Sequence, residues 1–274
     1  MKSRRIIRIF CYICLTIYSL FNLLPILWVF STAFKTRVQS FSLPPIWIPD
    51  PITVENFQRI FTQLPFANYV INSLTITFTV LFFQILIGVF ASYAFARLKF
   101  PGRDFLFVVL LTSLMIPQAV TMIPQYIIIV YAGWINTHTG VVVPQIFMNV
   151  FGIFLLRQYF LGLPGDFEDA ARIDGAGIVR TFLFVMLPQV KPAVFTVAIL
   201  SFMRAWNNFL WPLVIISSND RMPLSVGLSV LLGQFVSDWA GIMAGAAIAL
   251  LPVLLFYIFA QRYFVQSIYM TGIK

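Results

Sequence analysis

Along the 274 residues, long apolar stretches alternate with short polar ones, and the apolar stretches exceed what the core face of a soluble helix or strand requires. Runs uninterrupted by Lys, Arg, Asp or Glu fall into five windows, 9–34, 60–96, 105–156, 192–219 (broken only by Arg204) and 239–261. A helix needs about 20 apolar residues to cross roughly 30 Å of hydrocarbon, so every window is long enough and the third is too long for one crossing. Its middle holds Gly133, Asn136, Thr137, His138, Thr139 and Gly140, turn-forming and polar residues that are costly in lipid, and it divides there. The pattern predicts an all-α integral membrane protein of six spans, at 9–32, 70–95, 105–131, 140–161, 193–216 and 239–261, with 1–274 forming a single transmembrane domain.

Composition points the same way. With 60% apolar and 10% charged residues, the chain has well under half the ~25% charge of a soluble domain. Its 30 Phe, 10 Tyr and 6 Trp leave too little polar surface to face water all round, which excludes an ordinary soluble enzyme. The excess of 18 basic over 9 acidic residues does not indicate nucleic acid, because the basic residues flank apolar runs instead of forming a patch.

Those basic residues orient the chain. With both termini inside, the inner segments carry Lys2, Arg4, Arg5, Arg8, Arg97, Lys99, Arg103, Arg157, Arg172, Arg180, Lys191, Arg262 and Lys274, against Lys35, Arg37, Arg59 and Arg221 outside. Short loops rich in Lys and Arg stay in the cytoplasm, so both termini are expected there, in a multi-pass membrane protein. Residues 9–34 have the basic lead of a secretory signal but no convincing cleavage site, and read as a retained first helix. Beyond it, four prolines between Leu43 and Pro51 prevent a helix, and a short amphipathic helix is predicted over 54–61.

The inner segment between spans four and five, 163–177, concentrates four of the nine acidic residues. Asp166, after Pro164-Gly165, is a natural N-cap, with Asp169 completing a weak capping box. A short helix should follow, with Phe167, Ala170, Ala171 and Ile173 resting on protein and Glu168, Asp169, Arg172 and Asp174 meeting water or a partner. Gly175 and Gly177 should end it.

This segment reads Asp169-Ala170-Ala171, three residues, Gly175, nine residues, Val185, Met186, Leu187-Pro188. It resembles the signature of permease subunits of ATP-binding-cassette importers, with Asp in place of Glu at 169 and Val in place of Ile at 185. Further stretches are similar to the carbohydrate, maltose-type branch of that superfamily. They are Pro51 to Phe57, Ser92 to Arg103, Met115-Ile116-Pro117 with Ile123-Pro124, Lys191-Pro192-Ala193, Trp206 to Pro212, and the tail from Tyr263 to Lys274. The resemblance implies that the 166–178 loop is a cytoplasmic coupling helix seated on an ATPase, with Glu168, Asp169, Ala170, Ala171, Asp174 and Gly175 as the coupling residues. It also implies a second homologous permease, two ATP-binding-cassette ATPase subunits and an extracytoplasmic sugar-binding protein as partners. The chain has no G-x-x-x-x-G-K-[ST] phosphate loop, so ATP and Mg are expected on the partner ATPase and no cofactor on this chain, which is not expected to be an enzyme.

Polar groups within a span are expensive, which marks Arg204, Trp206, Asn207, Asn208 and Trp211 as candidates to line a translocation path. An arginine at mid-span costs about 2.5–3.5 kcal/mol on insertion scales. Arg204 is therefore expected to face a cavity, a partner helix or another subunit's carboxylate, and the family pattern assigns it no role. Cys11 and Cys14 read as packing residues on an apolar helix, and His138 as an exposed loop residue; no metal site is expected. Prolines 25, 117, 124, 144, 212 and 252 are expected to kink helices, and Gly241, Ala244, Gly245, Ala246 and Ala247 offer a small-residue face suited to subunit pairing. The rival reading is a stand-alone secondary transporter or channel with Arg204 as an ion-coupled gate; an integral-membrane enzyme is more distant.

Overall fold

The computed structural model describes the backbone of residues 2–234 and 238–271, and the side chains of 6–233 and 238–259. The side chains of Lys2, Arg4, Arg5, Arg262 and Lys274 and of the tail motif over 263–274 lie outside the described residues. Among the described residues every regular element is helical. In chain order they are α1 (Lys2–Ala33), α2 (Arg37–Ser40), α3 (Glu55–Gln63), α4 (Phe66–Arg97), α5 (Arg103–Thr112), α6 (Gln118–Tyr131), α7 (His138–Ile146), α8 (Val150–Gly162), α9 (Asp166–Ile173), α10 (Ile178–Thr181), α11 (Leu187–Gln189), α12 (Lys191–Trp206), α13 (Leu210–Ile215), α14 (Leu224–Gln234) and α15 (Trp239–Thr271).

Four stretches are long and apolar enough to cross a membrane, Ile6–Ala33, Phe66–Arg97, His138–Gly162 and Trp239–Phe259. Two more are bent pairs, Arg103–Met115 with Gln118–Tyr131 at 102° and Ile178–Gln189 with Lys191–Trp206 at 78°; taking each pair as one span gives six. The third span, predicted over 105–131 with a kink expected at Pro117, is thus not one continuous helix. Pro117 excludes the α conformation from the residue before it, and Ile116 is accordingly extended at φ −84°, ψ 115°. Nor is 193–216 one helix. α12 stops at Trp206, and Asn207 at φ −87°, ψ 5° leads into a break before α13. Asn207 turns its amide back onto the Met203 carbonyl at 2.8 Å, the local competition that disfavours Asn within helices.

The chain folds as two compact units, 1–67 with 227–252 and 68–226 with 253–274. In the first, α1 is exposed from Ile6 to Pro25 and buries only its end, where Ala33 is inaccessible. Cys11 and Cys14 are exposed free thiols, so the packing role expected of them is not met within the chain. The proline-rich segment folds back on that end, with the Trp28 and Trp47 rings 5.0 Å apart and the Thr53 amide donating to the Phe34 carbonyl at 2.9 Å. The predicted amphipathic helix is α3, whose buried Asn56 donates to the carbonyls of Ala33 at 2.8 Å and Lys35 at 2.7 Å.

An acidic residue that the sequence pattern did not single out closes this unit. Asp238 caps α15 by accepting from the Gly241 amide at 3.2 Å, and its buried carboxylate pairs with Arg37 at 3.0 Å and Arg59 at 2.5 Å. Burial opposes its charge, but the hydrogen bond from Arg37, the Gly241 amide and the two nearby guanidinium charges hold its pKa below the usual carboxylate value. Further along α15, Gly245 lies close to Leu228, Leu231 and Phe66, with Ala244 and Ala247 buried. The small-residue face expected to pair subunits is therefore occupied, at these positions, inside the unit. A close approach of neighbouring side chains is what the missing Cβ permits.

The second unit has two apolar clusters. One joins Ile76 and Val80 of α4 to Ile129, Val141, Trp211 and Ile215; the other joins Val89, Tyr93 and Ala96 of α4 to Leu156, Phe160, Phe182 and Met186. Near the first cluster, Asn136 takes the left-handed φ of 56°, and its side-chain carbonyl accepts from the Ser218 backbone at 3.0 Å. His138 is not a free loop residue. It is half-buried at the start of α7, with Nε2 3.0 Å from the Arg221 carbonyl.

Candidate functional site

α9 is built from its two ends inward. Leu163 is extended before Pro164, and Gly165 turns the chain so that its carbonyl accepts from the Glu168 amide at 2.9 Å and the Asp169 amide at 3.1 Å. Gly165 is the N-cap, and Asp166 is the first helical residue, not the side-chain cap predicted for it. Asp166, Glu168 and Asp169 still place three carboxylates in the first turn, where the helix dipole favours them. At the other end, the Gly175 amide donates to the Arg172 carbonyl at 3.0 Å and the Ala176 amide to the Ala171 carbonyl at 2.9 Å. That pair of bonds is a Schellman motif, and it requires the left-handed φ of +76° that Gly175 adopts. Gly177 has a negative φ and instead leads into α10.

One carboxylate and one guanidinium seat this helix. The Tyr93 hydroxyl donates to Glu168 Oε1 at 3.1 Å, and Arg97 Nη1 lies 3.6 Å from Glu168 Oε2. Arg97 also donates to the Phe160 carbonyl through Nε and Nη2, at 3.1 and 2.7 Å, and to the Leu163 carbonyl through Nη2. The end of α4, the end of α8 and the first turn of α9 thus share one guanidinium, whose five fixed donors suit such a junction. Tyr93 is held in turn by the rings of Phe182 at 4.7 Å and Phe160 at 5.5 Å.

The two faces of α9 differ from the predicted division. Glu168 points inward, because its cationic partner and its hydroxyl donor both lie on α4, and Ala171 is buried beneath the helix. Ile173 points outward and is 87% exposed; Phe167 is only partly covered. Asp169 and Arg172 form an exposed 3.5 Å pair, and Ala170, Asp174 and Gly175 share the exposed side. Beyond them Ile178 and Val179 are exposed as well, so this segment leaves both charged and large apolar side chains uncovered, the make-up of an interface. Tyr93 and Arg97 lie in the Ser92 to Arg103 stretch that carries the resemblance, but outside the Asp169 to Pro188 motif from which the coupling residues were taken. Their signal is the i, i+4 spacing that puts both on one face at the last turn of an otherwise apolar helix.

The candidates of the fifth span separate. Arg204, Asn207, Asn208 and Trp211 line a cavity of about 420 Å³, together with Gln84 and Gln145. Trp206 does not line it. It is buried, with its ring stacked on Phe202 at 5.9 Å. Trp211 fixes one wall, its Nε1 donating to the Gly140 carbonyl at 3.1 Å. Gly140 has no room for a side chain, since a Cβ there would lie 2.4 Å from the Trp134 carbonyl oxygen. Gln84 fixes another wall through a 2.6 Å bond to the Gln145 carbonyl.

All-helical spans, two of them broken, a cavity lined by both polar and apolar side chains and a short surface helix clamped to the ends of α4 and α8 define a polytopic membrane transport component. A family described as the binding-protein-dependent transport system inner membrane component matches residues 84–269. The chain is 36% identical over 230 residues to the arabinooligosaccharides transport system permease protein AraQ of Halalkalibacterium halodurans, covering 84% of this chain and 82% of that one. It is 32% identical over 257 residues to the diacetylchitobiose uptake system permease protein NgcG of Streptomyces coelicolor, covering 93% and 85%. A solved bacterial ABC transporter involved in the import of the acidic polysaccharide alginate shares the fold, with a TM-score of 0.84 and 24% identity over 96% of this chain and 98% of that one. The chain belongs to the binding-protein-dependent transport system inner membrane component family.

Proposed function

We propose that this chain forms half of the translocation path of an ATP-driven carbohydrate importer, pairing with a second homologous permease above two ATP-binding-cassette ATPases and receiving cargo from an extracytoplasmic binding protein. Carbohydrate cargo is supported by the likeness to AraQ, a permease for arabinooligosaccharides, and to NgcG, a permease for diacetylchitobiose. In this reading 1–274 acts as one permease domain with both termini in the cytoplasm, following its basic asymmetry. ATP and Mg belong to the ATPases, because this chain carries no phosphate loop. Family membership disfavours the stand-alone transporter.

One observation carries the coupling role: α9 is fastened to α4 and α8 through Glu168, Tyr93 and Arg97 while Asp169, Ala170, Asp174 and Gly175 stay exposed beside an apolar patch. A helix held firmly on one side and bare on the other passes the displacement of a docked partner to the spans as a rigid body. Glu168 acts here as a positioning residue and the exposed set as the docking surface. The test is to tag the chain in its native host, extract the complex gently, and assay co-purifying chains, ATP hydrolysis and uptake for wild type and Gly175→Arg. A second permease and an ATPase in the wild-type complex, with both transport and cargo-stimulated hydrolysis lost in the variant, is the expected result. Unchanged transport in Gly175→Arg removes the coupling assignment.

A further inference from the structure

Among the described residues, no acidic side chain balances the charge that Arg204 brings to the cavity wall. Arg204 has no hydrogen bond or ion pair among the described residues, and the side-chain amides of Gln118 and Asn208 are likewise without partners there. All nine acidic side chains are elsewhere, at 50, 55, 104, 166, 168, 169, 174, 220 and 238, and none lines the cavity. A guanidinium is a cation in proteins. Arg204 is exposed to the cavity, and intramembrane charges of this kind pair with a partner or mark a solute pathway.

The surroundings favour the solute. Unpartnered amides beside the guanidinium offer further donors and acceptors, Met122 and Met148 supply adaptable apolar wall, and the space of about 420 Å³ is of the size that small-molecule sites take. A neutral sugar accepts hydrogen bonds from the amides and the guanidinium but brings no opposite charge. A carboxylate or phosphate accepts its paired N–H groups in bidentate fashion, and a single-sign cavity wall also raises the local concentration of anions.

We propose that Arg204, with Gln118 and Asn208, forms an anion subsite in the translocation path, and that the cargo carries a carboxylate or phosphate on its sugar or polyol frame. This rests on the importer reading above and narrows its substrate class. In the bound state the guanidinium faces the anionic group while the amides meet hydroxyls.

The test uses the intact importer, co-purified through a tag on this chain and reconstituted in liposomes with its binding protein and ATP. Three radiolabelled probes are supplied: digalacturonate for a carboxylate, glycerol 3-phosphate for a phosphate, and galactobiose as the neutral control. ATP-dependent uptake of one anionic probe is expected, and the probe that enters tells carboxylate from phosphate. Arg204→Gln should slow that uptake about tenfold or more, the loss expected for one charge-assisted contact, while Arg204→Lys keeps an intermediate rate and both variants retain the partner permease. The proposal is overturned if neither anionic probe enters, or if Arg204→Gln leaves anion uptake unchanged. It is also overturned if Arg204→Gln releases the partner permease, which assigns the guanidinium to a subunit ion pair. ATP-dependent uptake of galactobiose alone overturns the anion subsite and leaves the importer standing, whereas probe uptake that needs no ATP removes the importer reading itself.

Discussion

The hydroxyl of Tyr93, four residues before the end of α4, donates a 3.1 Å hydrogen bond to the carboxylate of Glu168 in the first turn of α9. That bond and the neighbouring Arg97 contact are partly buried, so they resist screening better than the exposed Asp169–Arg172 pair. A graded series follows from the geometry. Tyr93→Phe deletes one hydrogen bond to a charged group, about 1.5 kcal/mol or roughly tenfold in the seated population. Arg97→Ala strips donors from two carbonyls and leaves Glu168 without its cation, and should cost more, about 3 kcal/mol. Both variants should still bind the ATPase, because the exposed face is untouched, yet uncouple hydrolysis from uptake in that order. Equal uptake in wild type and Arg97→Ala would show that the clamp is not what transmits motion.

Gly175 separates backbone need from surface need. Nothing lies within 4 Å of where its Cβ would stand, so a small side chain meets no steric obstacle there. Its φ of +76° is another matter, costing roughly 1–2 kcal/mol for most residues but less for Asn, which visits this region. Gly175→Asn should therefore keep near-normal coupling, while Gly175→Val frays the C-terminal end of α9 and lowers coupling several-fold. ATPase assays on the co-purified complex decide between them. If Asn is as damaging as Val, the docking surface and not the dihedral excludes side chains.

Asp238 sets an acid limit on the first unit. Its pKa in the fold lies below the ordinary value because two guanidinium groups and the Gly241 amide outweigh the penalty of burial. As pH falls, the unfolded chain takes up the proton first, so the stabilisation is present above the usual carboxylate pKa of ~4 and is lost as pH drops through the folded value. Asp238→Asn should lower the thermal midpoint of the purified complex at neutral pH, with the gap from wild type closing as pH falls below the ordinary carboxylate range. Arg59, the more buried partner, should matter more than Arg37, whose side chain is 56% exposed and whose pairing is a surface one worth at most about 1 kcal/mol. A neutral-pH midpoint unchanged by Asp238→Asn contradicts this account.

The spans were legible because hydrocarbon imposes a length and a composition that survive any tertiary detail, as the windows around α1, α4 and α15 show. The turn at 133–140 was legible for the same reason. What the sequence hid is direction. The period of α9 marks Ile173 and Ala171 as one apolar face, yet only Ala171 is covered, because the tether from Tyr93 and Arg97 rotates Glu168 inward. Trp206 and Trp211 are five residues apart and looked equivalent, and both are buried, but beyond the break at Asn207 only Trp211 lines the cavity. Asp238 was readable as an acidic residue directly before an apolar run, an N-cap signal, although its two arginines are 201 and 179 positions away and no local pattern pairs them.

Lys35 is the buried cation of the first unit, with no ion pair among the described residues. Its Nζ sits 3.6 Å from the centroid of the Trp28 ring and donates to Thr32 Oγ1 at 3.1 Å, and the side chain is inaccessible to solvent. Burial disfavours the charged form and lowers its pKa from the usual lysine value. The ring contact offsets part of that cost, about 2 kcal/mol when desolvated. Between the lowered folded pKa and the unfolded value of ~10.4, the unfolded chain binds the proton and the fold does not, so stability attributable to this residue rises with pH. Lys35→Met, which keeps the length and removes the charge, should match or exceed wild type in thermal midpoint at neutral pH, with the difference shrinking toward pH ~10. Lys35→Glu should collapse the site, since a carboxylate meets the negative face of the Trp28 ring. A Met variant markedly less stable than wild type would mean that the charge itself, through the ring, holds the end of α1 in place.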